Sequence, residues 1–154
     1  MSEQGYPPVA ELLPHTGNMI LLSKVLDHEE DETHCAVEVD EQELFRDVAG
    51  DVPAWVGLEF LAQCIAAHAG LIGREAGASP KLGFLLGSRR LRFHTARFGR
   101  GSSLLVKVTR VWGGSSGMVA FDCSIEDRQT GERLVDGRLT CMTPDREPRE
   151  DVLK

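Results

Sequence analysis

Apolar and polar positions along the chain change period at about one third of its length. From Val52 to Gly77, "VPAWVGLEFLAQCIAAHAGLIGREAG", apolar residues cover nearly every side of a helical wheel. Trp55, Val56, Leu58, Phe60, Leu61, Ile65, Leu71 and Ile72 leave Glu59, Gln63 and His68 as almost the only polar groups along most of its length. A helix apolar all round must be covered on most sides. Asp51 is expected to cap it, with Pro53 in the first turn.

The flanking segments read as strands. "MILLSKVL" (Met19–Leu26) is apolar and β-leaning, and "THCAVEVD" (Thr33–Asp40) alternates, with Cys35, Val37 and Val39 on one face. After the turn-rich "GREAGASP" come four more strand candidates: Leu82–Phe93, Ser103–Trp112, Met118–Asp127 and Leu134–Met142. "GGSSG" (Gly113–Gly117) and "RQTGE" (Arg128–Glu132) are hairpin-type connections. Two strands, one long helix and a run of antiparallel strands give an α+β pattern. A curved antiparallel sheet can wrap one face of such a helix, and a second subunit could cover the rest, so a dimer is expected.

At 154 residues the chain is expected to form one domain, residues 1–143, followed by a charged tail, 144–154, expected to be flexible. No apolar run is expected to reach the roughly 20 residues of a membrane span. "MSEQGYPPVAELL" lacks the basic and apolar regions of a signal peptide, so a cytoplasmic location is expected. Cys35, Cys64, Cys123 and Cys141 lack C-x-x-C spacing and sit in apolar runs, which favours buried thiols over metal ligands or disulfides.

A net charge of −7 argues against nucleic acid as a partner. Between Glu75 and Asp122, however, there is no acidic residue, while Lys81, Arg89, Arg90, Arg92, Arg97, Arg100, Lys107 and Arg110 fall inside that interval. This points either to an anionic partner for the segment or to a solvated face balanced by acids elsewhere.

"LLPHTGNMILLSKVLD" (Leu12–Asp27), "PAWVGLEFLAQ" (Pro53–Gln63) and "RFHTARFGRGSSLLVKV" (Arg92–Val108) together resemble the hotdog-fold 3-hydroxyacyl-acyl carrier protein dehydratases, over about Leu12 to Met142. "PHTGNM", "VPAWVGLE" and "LGFLLGSRR" are closer to a subgroup associated with aryl polyene biosynthesis, thought to work with a second dehydratase subunit. The resemblance implies a hotdog fold, with a sheet wrapped around one central helix. It implies elimination of water from a 3-hydroxyacyl thioester delivered on the phosphopantetheine of an acyl carrier protein, with no other cofactor and no metal. It also implies a homodimer or higher oligomer, or a heteromer with a second dehydratase subunit.

Carried over residue by residue, the resemblance makes Glu59 the catalytic carboxylate. Burial would raise its pKa towards neutrality, against the pull of the helix N-terminus. Pro53, Ala54, Trp55 and Gly57 at the helix start are candidates for substrate binding, and the backbone N–H groups at Ala54–Gly57 could hold a thioester oxygen. Arg89, Arg90, Arg92, Arg97 and Arg100 are candidates for docking the acidic carrier, although strand alternation prevents all five from serving one surface.

One slot departs from the family. The position of its catalytic histidine is Phe45 here, and no histidine lies between Cys35 and Gln63. The family's Pro-Gly at the helix start is Pro53-Ala54. His15, from the Leu-Pro-His motif, is the first candidate for the missing partner, although the matching family residue is not the usual catalytic one. It could equally be a structural histidine. Asp47 and Asp51 are alternatives better explained by loop solvation and capping. His68 is expected in core or dimer packing and His94 at the surface. A catalytically silent partner subunit and a hotdog thioesterase using Glu59 as base are the competing functions.

Overall fold

The computed structural model of the chain describes residues 5–77, 84–113 and 117–142. The tail, the centre of "GGSSG" and the residues just before the fourth strand lie outside the described residues.

Two strands come first, β1 (Lys24–His28) and β2 (Glu32–Glu38). A two-residue strand β3 (Val52–Pro53) leads through a 3₁₀ turn, Ala54–Val56, into helix α1 (Gly57–Glu75). Then follow β4 (Phe84–Phe93), the short β5 (Arg97–Phe98), β6 (Ser103–Gly113), β7 (Met118–Asp127) and β8 (Arg133–Met142). Six strands form one antiparallel sheet in the order β1-β2-β6-β7-β8-β4, and β3 pairs with β5 beside it.

The first strand begins later than "MILLSKVL" predicts. Gly17–Met19 is a 3₁₀ turn and Ile20–Ser23 runs irregularly, with Leu21 and Leu22 buried beneath it. The apolar signal there reports a chain crossing the core, which needs burial but not a ladder. In β2 the alternation holds, with Cys35, Val37 and Val39 fully buried, but Thr33 and Ala36 are fully buried too.

α1 lies against β2, β6 and β7. Phe60, Leu61, Cys64, Ile65 and Ala67 form its buried side, meeting Val106, Val108, Phe121 and Ile125 of the sheet in one core. Burial of large apolar side chains at about 1.5–3 kcal/mol each makes this the main stabilising contact. Gly57 fits because a Cβ there would stand 3.0 Å from Ile125 and 3.1 Å from Phe98.

Two expectations about the helix are corrected. Residues Ala54–Glu75 are long and apolar enough to cross a membrane by length and composition, since the alanines and glycines add to a continuous apolar stretch. In the fold 61% of that window is buried, and the segment is the core helix of the sheet. Asp51 does not cap it; the helix starts from Val56 with no side-chain cap, because the 3₁₀ turn already supplies the first turn. The sheet covers only part of the helix in this one chain, where Trp55 is 65% exposed and Ile72 37%.

Candidate active site

Before the first strand, Leu12 and Leu13 are buried and lay the chain directly on α1. Gly70 permits the approach, since a Cβ there would lie 2.6 Å from the Leu12 carbonyl oxygen. The same segment brings His15 to the start of the helix, where its Nε2 stands 3.4 Å from Oε2 of Glu59. His15 Nδ1 is buried without a hydrogen-bond partner among the described residues.

Gln63, one helical turn after Glu59 and fully buried, holds this arrangement. Its side-chain N–H groups donate to Glu59 Oε2 at 3.0 Å and to the Met19 carbonyl at 2.8 Å. Its Oε1 accepts from the Leu21 N–H at 2.8 Å. One amide thereby fixes the carboxylate and fastens the crossing segment to the helix. Gln42 adds a second tie, donating to the Leu21 carbonyl at 2.9 Å.

Glu59 is not the buried carboxylate expected of a swallowed helix. Its side chain is 42% exposed. The burial expected of it is therefore not met in the single chain. The carboxylate and imidazole instead face outward, side by side.

Of the helix-start residues, Ala54 is buried and its N–H donates to the Ala96 carbonyl at 3.0 Å. The Gly57 N–H is turned back on Ala54. Neither N–H is free for a thioester oxygen, as had been expected. Pro53 sits in β3 opposite Arg97, and the exposed Trp55 ring lies edge-on to Phe45, with centroids 6.2 Å apart. The slot of the family histidine is thus filled by an aromatic packing contact.

The other candidates are placed elsewhere. Asp47 accepts from the N–H groups of Ala49 and Asp51, as loop solvation predicts. Asp51 accepts from the Arg100 N–H at 2.8 Å and lies 3.9 Å from Arg97. His94 pairs with Asp136 at 2.7 Å on the surface. His68 is buried, with Nδ1 2.7 Å from the Thr33 hydroxyl, which also meets His28 Nδ1 at 2.7 Å. Burial, then the charges of His28 and Arg110, lower the His68 pKa to about 4, against a smaller opposing effect of Asp31. All four cysteines are free and buried, as expected, and burial pushes the Cys123 thiol up to about 12. The Cys64 thiol lies 3.5 Å from Cys35 Sγ.

The five arginines divide. Arg97 and Arg100 lie beside β3 and the helix start, whereas Arg89, Arg90 and Arg92 line a cleft on the edge strand β4. The i+4 spacing of Gln63 from Glu59 allows the two to be tied on one helix face, and that tie is present, though to a carboxylate only partly buried.

A family model described as ApeP dehydratase, of the ApeP-like group, matches residues 7–153. The chain belongs to the ApeP-like dehydratase family. It is also similar to a chain of the dehydratase heterocomplex ApeI:P from Xenorhabdus doucetiae, with 30% identity and a TM-score of 0.84 over 96% of this chain and 95% of that one. A hypothetical thioesterase from Streptococcus pneumoniae TIGR4, solved with coenzyme A, matches at 15% identity and TM-score 0.59, over 81% of this chain and 88% of its own. The E. coli PaaI protein matches at 11% identity and TM-score 0.59, over 77% and 81%. These last two share the fold alone. None of the curated proteins compared with the chain matches it significantly. The fold is the hotdog fold, and the family is one of dehydratases, as the sequence motifs imply.

Proposed function

We propose that this family member eliminates water from a 3-hydroxyacyl thioester carried on an acyl carrier protein, with Glu59 and His15 as the proton-transferring pair. The observation that carries this is the 3.4 Å approach of His15 to Glu59, on a carboxylate already oriented by Gln63. Elimination needs a base for the proton α to the carbonyl and an acid for the departing hydroxyl. A pair holding one proton supplies both. The member of the pair without the proton takes the C2 proton as the C2–C3 double bond forms. The other protonates the hydroxyl leaving C3, water departs, and a proton passed back across the pair restores the starting state. The N–H groups of Trp55 and Val56, in the first turn, suit the developing enolate oxygen.

The carrier would reach the site past Arg97 and Arg100, which flank the helix start; arginine suits both carboxylates and the phosphopantetheine phosphate. Nothing besides that prosthetic group is required. A cytoplasmic location fits such a substrate.

We further propose that a second subunit completes the site. Trp55, Ile72 and the pair itself are open in the single chain, and among the described residues the outer edge of β4 is unpaired. A homodimer or higher oligomer would cover them, but the similarity to a chain of a dehydratase heterocomplex favours a heteromer with a second dehydratase subunit. In a second reading this chain is the silent member of that heteromer; Phe45 in the family histidine's slot favours it. Incubating the purified chain with a 3-hydroxyacyl carrier thioester, alone and with the second subunit, separates the two. Loss of 18 mass units (one water), abolished by Glu59→Gln in this chain, supports the first. Turnover indifferent to Glu59→Gln supports the second. Release of free carrier thiol would instead indicate a thioesterase.

A further inference from the structure

The sheet face turned away from α1 carries a second constructed feature. Register places Arg89 opposite Arg138 and Arg138 opposite Asp122, and further along Arg92 opposite Asp136. The alternating neighbours on these strands, Leu139, Val135, Phe121 and Ile125, are buried in the core beneath α1, so this charged row lies on the far face.

Between these pairs β4 has two residues, Arg90 and Leu91, where β8 has only Gly137. This bulge is pinned from both sides. Arg90 holds φ +57°, the one left-handed non-glycine residue among the described residues. A Cβ on Gly137 would stand 2.6 Å from Leu91 Cα and 2.9 Å from the Arg90 carbonyl oxygen. A left-handed non-glycine residue costs on the order of 1–3 kcal/mol and persists where the surroundings enforce it.

The bulge opens a cleft of about 490 Å³ lined by Arg89, Arg90, Arg92, Arg133 and Arg138. Its two aspartates are engaged, Asp122 with Arg138 at 2.8 Å and Asp136 with His94 at 2.7 Å. Arg133 leans on Glu126 at 3.5 Å. Arg89, Arg90 and Arg92 have no ion-pair partner of their own among the described residues, so the cleft's five arginines outnumber its two aspartates. Such a group of forked donors matches the oxygens of a phosphate. The volume lies in the range of small-molecule sites and exceeds what a lone phosphate fills.

We propose that the β4 bulge is a binding site for the phosphate groups of a small phosphorylated ligand, distinct from the Glu59–His15 pair and on the opposite face of the sheet from α1. Inorganic pyrophosphate and a nucleotide or nucleotide-bearing coenzyme share the required chemistry. Calorimetric titration of the assembled protein with pyrophosphate, ADP and coenzyme A at low salt tests it. Saturable binding of at least one is expected. That binding should weaken at least tenfold in Arg89→Ser/Arg92→Ser and in Arg90→Gly, which removes a guanidinium but keeps the left-handed backbone. Equal affinity for all three assigns the site to the phosphates alone; tighter ADP or coenzyme A assigns it to the nucleotide. Unchanged thermal unfolding and an unchanged assembled mass in the variants would show that the fold and the assembly are intact. No saturable binding of any of the three, binding unaffected by both variants, or binding only of the carrier protein overturns the proposal.

Discussion

His15 Nε2 and Glu59 Oε2 stand 3.4 Å apart, though 44 positions separate them in sequence, because Gly70 lets the Leu12 segment lie on the helix and Gln63 ties its continuation down. The pair is a product of that tethering, and each tether is testable.

Gln63→Leu should cost both stability and activity. It leaves the buried Leu21 N–H unpaired, at about 1–3 kcal/mol, and frees the Glu59 carboxylate to rotate. A fall in Tm of roughly 2–4 °C per kcal/mol is expected for a domain of this size. Thermal unfolding followed by circular dichroism, with rates measured well below Tm, checks it; a variant with native Tm and native rate would remove Gln63 from the account.

Gly70→Ala probes the other tether. Its Cβ would meet the Leu12 carbonyl oxygen at 2.6 Å, so the crossing segment must lift. Overpacking of this kind costs about 1–3 kcal/mol. Because the displaced segment carries His15, dehydration should fall more than the remaining folded fraction explains. An equal loss of both would mean that His15 is not positioned this way.

How much of this was legible in the sequence depends on the residue. Phe60, Leu61, Cys64 and Ile65 announced a core helix, and the strands from Ser103 onwards were readable to within a residue or two of their ends. Met19–Leu26 misled because burial along an irregular crossing and burial along a strand leave the same apolar signal. Glu59 misled in the opposite sense: an apolar wheel says that a face will be covered, not by which chain. The two-residue strands β3 and β5 left no periodicity to detect. Of the site, Glu59 and His15 were legible through motif resemblance. The spent N–H groups of Ala54 and Gly57 were not, because they depend on Ala96 and on a 3₁₀ turn that periodicity does not encode.

His68 makes stability depend on pH. Its folded pKa of about 4 lies below the ordinary 6.5, with His28, Thr33, Phe121, Arg110 and Asp31 around it. The unfolded chain therefore takes up a proton at this position as pH falls through 6.5, while the folded chain resists until about 4. Its contribution is fully present above 6.5 and is lost progressively down to about pH 4, roughly 3 kcal/mol in all. Urea midpoints from pH 7.5 to 4 should show the decline, and His68→Gln should flatten it. An identical slope in both proteins would mean that His68 is protonated in the fold.

His15→Asn should reduce dehydration by about 10²–10⁴-fold, the range of a lost general acid or base, with little change in Tm. The imidazole is part-exposed and its Nδ1 bonds nothing among the described residues, so few contacts are lost. A large fall in Tm would assign His15 a structural role.

The most direct test is dehydration of a 3-hydroxyacyl carrier thioester by the chain assembled with the proposed second dehydratase subunit, with Glu59→Gln compared with wild type. The amide keeps the shape of the carboxylate but cannot exchange a proton. A loss of about 10²-fold or more with an intact assembly is the expected result. A Glu59→Gln assembly that turns over at the wild-type rate would contradict the account and make this chain the silent partner.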